Sequence, residues 1–276
     1  MTTAMNMSKR FIQLCVVSVL LTQAALVSAQ QQSTTQEQSS SSNAASSLPP
    51  PKDARTRAKA HTDLGSLYFQ SGQLIYALEE LSLAAAIDPQ YATAFSTRGL
   101  VLYYVKEFDS AEKDFKRALE LEERNPDINN NYGWYLCQTG KPKEAIAYFE
   151  RAYKNPVYQT PAVAYLNAGS CYIKTNELDL AEDALRKSLR LKPDNNPQAL
   201  YHLANVSHKR GNPDAAKKHL TEAVRMVDPG PDMLWLMLRV ERRLGNEADE
   251  RSLAAQLRRK FPDSEEYQEF LKGNFE

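Results

Sequence analysis

From Ala58 onward the chain repeats itself about every 34 residues, and this self-similarity limits its fold more than any other feature. Six segments begin at Ala58, Ala92, Pro126, Ala162, Pro197 and Pro231, at intervals of 34, 34, 36, 35 and 34 residues. The first carries Leu64-Gly65, Tyr68, Ala77, Leu81, Ala84 and Pro89; the second carries Phe95, Gly99, Leu102, Ala111, Phe115 and Ala118. The third has Tyr132-Gly133, Leu136, Ala145, Phe149 and Ala152, and the fourth Tyr165, Gly169, Tyr172, Ala181, Leu185 and Pro193. The fifth sets Ala204 where others have glycine and keeps Leu200, Leu203, Ala216, Leu220 and Ala223. The sixth is degenerate: Leu234, Met237, Ala254, Leu257 and Pro262 remain, but Leu238 and Glu250 replace the small residues.

A bulky residue, then Leu-Gly, Tyr, a later Ala, an aromatic or Leu and a late Pro form the tetratricopeptide pattern, a helix-turn-helix unit. Small residues such as Gly65 and Ala77 belong where two antiparallel helices cross closely, since a larger side chain would force them apart. Large residues fill the space between successive hairpins, so no repeat is stable alone. Gly72, Gly140, Gly211 and Gly245 share the fifteenth position of their repeats, where a helix can end in a left-handed residue. Pro89, Pro193 and Pro262 stop second helices. The predicted fold is therefore an all-α superhelix of six hairpins, at about 58–91, 92–125, 126–161, 162–196, 197–230 and 231–262. Asp263-Ser264-Glu265-Glu266 reads as a capping box opening a short covering helix at 263–273. No such helix precedes Ala58. Leu67, Leu74 and Ile75 are then expected to form an exposed apolar edge, available for docking or covered by the preceding segment or a second copy.

Ahead of this 53–276 domain stand two different segments. Residues 1–29 read as a secretory leader, with Lys9 and Arg10 before an apolar run from Phe11 and a small-residue cleavage site ending at Ala29. Cys15 has Leu14 before it and Val16-Val17 after it, so it lies inside the apolar run and does not fit a lipid-attachment site. Residues 30–52, rich in Gln, Ser and Pro, offer too little apolar surface to fold and read as a flexible tether. The expected location is the periplasm. Lys plus Arg and Asp plus Glu both number 34, which leaves no basic field for nucleic acid.

Catalytic and metal chemistry find no footing. His61 is isolated, while His202, His208 and His219 are scattered over both helices of the fifth repeat with no carboxylate or cysteine at ligand spacing. No cofactor, small-molecule substrate or enzymatic activity is expected. Cys137 and Cys171 fall on neighbouring first helices, and in an oxidising compartment they either form a disulfide or remain two buried thiols. First helices of such a stack line a concave groove through their second, fifth, sixth, ninth, twelfth and thirteenth positions. These positions supply Tyr103, Tyr104, Asn130, Asn131, Trp134, Gln138, Asn167, Ser170, Tyr201, His202 and Asn205. The aromatic and amide mixture suits an extended or helical peptide. Thr62 stands where clamps for acidic chaperone tails carry lysine, which disfavours that ligand.

One stretch goes beyond the generic repeat: Asn130-Asn131-Tyr132-Gly133-Trp134-Tyr135-Leu136-Cys137-Gln138, then Gly140, Pro161-Ala162 and Asn167-Ala168-Gly169-Ser170-Cys171-Tyr172. With Trp235-Leu236, Arg242-Arg243-Leu244-Gly245 and Phe261-Pro262-Asp263-Ser264, it closely resembles the PilF/PilW family of type IV pilus biogenesis and stability proteins over about residues 55 to 270. The resemblance implies a six-repeat right-handed superhelix acting as a pilotin, which binds the outer-membrane secretin and helps it localise and multimerise. Family members are usually lipoproteins; lacking a suitable cysteine, this chain is expected to reach the outer membrane through the secretin. A monomer is expected. The alternative function is a general periplasmic adaptor that presents substrates to a protease or peptidoglycan enzyme.

Overall fold

The computed structural model describes residues 53–275 apart from Asn195. The leader, its cleavage site at Ala29 and the tether up to Lys52 lie outside the described residues.

Thirteen helices and no strand occur among the described residues. They pair as α1 (Ala54–Gln70) with α2 (Leu74–Ile87), α3 (Ala92–Tyr104) with α4 (Phe108–Leu121), and α5 (Pro126–Gln138) with α6 (Pro142–Tyr153). The stack continues with α7 (Pro161–Lys174) and α8 (Leu178–Leu191), α9 (Pro197–Lys209) and α10 (Pro213–Ala223), and α11 (Pro231–Leu244) and α12 (Glu247–Lys260). A last helix, α13 (Glu265–Lys272), follows. Several starts are written in the sequence: Asp53, Asn125, Asn196 and Asn212 accept backbone N–H bonds as N-caps, and proline opens α5, α6, α7, α9, α10 and α11.

Turns inside the hairpins share one geometry. Gly245 ends α11 at φ 74°, and the glycines at the same offset behave alike. Lys106 and Asn176 adopt it too, at φ 66° and 61°, in the two repeats that lack the glycine. The tertiary position of the second helix imposes the left-handed residue even on Lys106, whose side chain disfavours it, while asparagine tolerates it at Asn176.

The first five hairpins each close on a small residue. A methyl group added to Gly169 would stand 2.6 Å from Leu185 Cγ, and one added to Gly65 2.7 Å from Leu81 Cγ. Between hairpins the core is continuous: one buried cluster runs from Ala111 and Phe115 through Tyr132, Leu136 and Phe149 to Cys171 and Ala184, spanning α4 to α8. In the sixth repeat the bulky Leu238 is itself buried, against Leu234, Leu253 and Leu257.

The curvature follows from which helices touch. Each first helix packs its backbone closely on the next first helix, α1 on α3 through α9 on α11, whereas second helices lie farther apart and meet through long side chains, as where Lys217 of α10 reaches Asp249 of α12 at 3.8 Å. First helices therefore form the inner, concave wall. At the C-terminal end α13 packs on α11 and α12, with Phe270 and Phe275 against Trp235 and Tyr267 stacked on Phe270. The capping box is only half present: Ser264 Oγ accepts from the Tyr267 N–H at 3.2 Å, but Tyr267 occupies the place of the reciprocating acidic residue.

Candidate functional site

The concave wall divides into an aromatic part and an amide part. Trp134 of α5 stacks on Tyr104 at 5.9 Å between ring centres and meets Tyr103 edge-on at 4.8 Å. Phe69 of α1 extends the cluster to Tyr104 at 5.3 Å, and Phe108 extends it to Tyr103 at 5.6 Å. Both phenylalanines were missing from the sequence-derived set, although Phe69 holds the same twelfth position as Tyr103. Tyr104 remains 52% exposed. A cavity of about 470 Å3 opens beside the cluster, lined by Tyr103, Phe108, Tyr135, Gln138, Thr139 and Lys141. Rings that are rigid, apolar in body and polar at the edge suit contact with another polypeptide.

Beyond the rings runs a hydrogen-bonded ladder that crosses three first helices. Asn131 Nδ2 donates to Ser96 Oγ at 3.2 Å, Asn130 Nδ2 to Asn131 Oδ1 at 3.4 Å, and Asn167 Nδ2 to Asn130 Oδ1 at 2.9 Å. Asn130 is thereby corrected from a contact residue to a structural one: it is only 6% exposed, and both ends of its amide are used within the wall. Asn131, Trp134, Gln138, Asn167, Ser170, Tyr201, His202 and Asn205 stay partly exposed. Ser170 and Asn205 make no side-chain hydrogen bond among the described residues. Gln138 Oε1 accepts from Lys174 Nζ at 2.8 Å. Tyr201 and His202 lie 5.0 Å apart. Burial pushes the Tyr201 hydroxyl up to about 12 and the His202 imidazole down to about 4, so both are neutral near pH 7.

Cys137 of α5 and Cys171 of α7 are joined by a disulfide, with their Cα atoms 5.9 Å apart. It ties the third hairpin to the fourth, one to two helical turns along from Asn167 and Asn130. The N-terminal edge is more apolar than the sequence reading had it. Leu67 is 61% exposed and Ile75 71%, but Leu74 is partly buried against Ala77, Leu81 and Val101 and does not belong to the edge surface. Tyr76, Leu64 and Leu83 are exposed there instead. Tyr76 and Leu83 each precede a core alanine in α2, whose apolar residues are nearly continuous around its circumference, and Leu64 of α1 precedes the buried Gly65. His61 is held by Glu80, 2.6 Å from its Nδ1, and serves packing of α1 on α2.

The tetratricopeptide repeat family matches residues 90–156, 162–195 and 197–265. The crystal structure of PilW, a widely conserved type IV pilus biogenesis factor, is 33% identical, has a TM-score of 0.69, and covers 78% of this chain and 98% of its own. The chain belongs to the PilF/PilW family. The type IV pilus assembly protein PilF of Pseudomonas aeruginosa PAO1 is 27% identical over 211 residues, or 76% of this chain and 83% of that protein. A solved structure of Pseudomonas aeruginosa PilF has a TM-score of 0.67 at 26% identity, covering 80% of this chain and 99% of that one. As a tetratricopeptide protein of the PilF/PilW family, the chain is a protein-interaction module of type IV pilus biogenesis. Its asparagine ladder and disulfide occupy the stretch that carries the resemblance.

Proposed function

We propose that the chain is a non-enzymatic scaffold that holds the outer-membrane secretin of the type IV pilus and assists its localisation, multimerisation or stability. The observation that carries this reading is the match to PilW over nearly the whole of that solved chain, at 33% identity. The groove supports it physically. A wall of half-exposed rings beside partly exposed amides can take apolar side chains and backbone groups of one partner segment together. The continuous core holds that wall rigid, so little ordering entropy is lost on binding. The exposed edge at Leu67, Ile75 and Tyr76 offers a second contact surface.

Deletion of the gene should abolish twitching and piliation and deplete secretin multimers, with the monomeric secretin still made. Normal multimers in the deletion strain would overturn the proposal. Affinity capture from envelope extracts separates it from the general adaptor, which would retrieve a protease or peptidoglycan hydrolase and no secretin. We place the protein in the periplasm, cleaved after Ala29; N-terminal sequencing of the exported form should begin at Gln30.

A further inference from the structure

The groove changes character along its length. The thirteenth positions of the six first helices form its rim at the helix C-termini, and they read Gln70, Tyr104, Gln138, Lys174, Lys209 and Arg243. Over the last three hairpins each thus contributes one cation. Neighbouring cations are neutralised: Arg210 pairs with Asp179, and Arg242, at the twelfth position, with Glu250. Lys174, Lys209 and Arg243 form no ion pair with any carboxylate among the described residues. Two of them are nevertheless fixed in place. Lys174 Nζ donates to the Cys137 carbonyl at 3.3 Å and Arg243 Nη1 to the His208 carbonyl at 2.9 Å, each reaching the last turn of the preceding first helix. There the helix dipole favours a cation, and an ammonium or guanidinium keeps further donors for a ligand. The acidic groove residues Asp127 and Asp232 stand at the second positions, on the opposite rim, about 16 Å away along the helix.

We propose that the C-terminal half of the groove binds an extended acidic segment of a partner protein, its carboxylates on Lys174, Lys209 and Arg243 and an apolar residue reaching the Tyr104–Trp134 pair. The spacing agrees. Packed helices lie about 8 to 10 Å apart and a polyproline-II chain advances about 3.1 Å per residue with three residues per turn, so one repeat spans about three residues and every third side chain faces the same rim. Acidic side chains at every third residue meet one cation per hairpin, and Asn167 and Asn205 between the rims can bond the peptide backbone. The amides and rings favour a peptide over a polynucleotide, as does a chain in which 34 basic residues are balanced by 34 acidic ones. This site rests on the reading that the groove holds a protein partner, and it adds the partner's chemistry.

The test is a titration of the full chain with a fluorescein-labelled peptide of about twelve residues, bearing Glu at every third position and Phe near each end. The peptide should bind, more weakly as salt rises, while the same peptide with Lys for Glu should not. Lys174→Glu, Lys209→Glu and Arg243→Glu together should weaken binding by roughly ten- to hundredfold. Should that triple variant fail to fold, Lys209→Glu alone decides, because Lys209 makes no side-chain hydrogen bond among the described residues; a roughly three- to tenfold loss is expected. Absence of Glu-peptide binding, or binding indifferent to Lys209→Glu, overturns the site. So does equal binding of oligothymidylate that is lost in the same variants, which would assign the row to nucleic acid. Capture of a secretin fragment is scored separately. If the wild-type chain binds the Glu peptide but captures no secretin, the site stands and the secretin reading falls; if Lys209→Glu captures secretin unchanged but no longer binds peptide, the secretin docks elsewhere and only its use of this site is excluded.

Discussion

Gly169→Ala tests whether the glycines set the hairpin crossing. In an isolated helix the exchange stabilises by about 1 kcal/mol, because alanine loses less backbone entropy on folding. Here the new methyl would lie 2.6 Å from Leu185 Cγ, 2.7 Å from Leu185 Cδ2 and 3.3 Å from the Ala181 carbonyl oxygen. Leu185 is fully buried and cannot swing away, since Ile173, Leu203 and Val206 surround it. Overpacking of this kind costs about 1 to 3 kcal/mol, so the net effect is a loss of about 0 to 2 kcal/mol. The sign should reverse in a Leu185→Ala background. That substitution alone costs about 2 to 5 kcal/mol, and there the methyl of Gly169→Ala enters a cavity and the helix gain survives. The expected coupling is about 2 kcal/mol. The fifth repeat supplies a natural control: Ala204 already fills this position opposite Leu220, so Ala204→Gly should destabilise by about 1 kcal/mol. Urea unfolding followed by far-UV circular dichroism reads all five proteins, with midpoints compared at unchanged slope. If Gly169→Ala is as stabilising with Leu185 present as without it, the close crossing is not what the glycine provides.

Other outcomes follow from the same structure. Reduction of the Cys137–Cys171 disulfide, which closes a loop with a separation of 34 residues, should lower stability by about 3 to 4 kcal/mol and broaden unfolding at the boundary of the third and fourth hairpins; an unchanged urea curve would refute this. Asn130→Ala strips Asn167 of its acceptor inside the wall and should cost about 1 to 3 kcal/mol, whereas Tyr104→Ala should change stability by about 1 kcal/mol or less yet weaken partner capture. His202 and His208 fold with pKa values lowered from 6.5 to about 4, by burial first and, for His208, by Arg243, Arg239 and Lys209; Asp232 opposes the shift at His202. The unfolded chain therefore binds more protons between these values, and stability present above about pH 6.5 is lost as pH falls towards 4. Each histidine should contribute roughly 1 to 3 kcal/mol of that loss, and His208→Leu should flatten the curve between pH 6.5 and 5. The paired carboxylates Glu112 and Glu182, held low by their Lys and Arg partners, act only below that window.

The sequence by itself determined the six hairpins, their order and the covering helix, because the crossing of two helices requires small residues at fixed offsets and a 34-residue period leaves one way to stack them. It also determined which first-helix positions face inward and that Cys137 and Cys171 lie on adjacent helices. Only the tertiary structure decided what those positions do. Asn130 stands at the fifth position of its helix, where Thr62 and Ser96 are buried too, and Asn167 at the sixth, where the side chain stays partly exposed; only the packed stack joins them by a hydrogen bond across 37 residues. The fifteenth position marks Asn176 as left-handed, a conformation asparagine tolerates, but Lys106 is not legible as such from its side chain, since the strain it accepts is set by helices packed from elsewhere in the chain. The cationic rim was equally hidden. A lysine or arginine reads as a solvated charge until the structure shows which carboxylates lie within reach, and for Lys174, Lys209 and Arg243 the described residues provide none. Periodicity encodes packing because every repeat solves the same steric problem; partner contacts arise from side chains that differ between repeats, and their neighbours are fixed only when the stack curves.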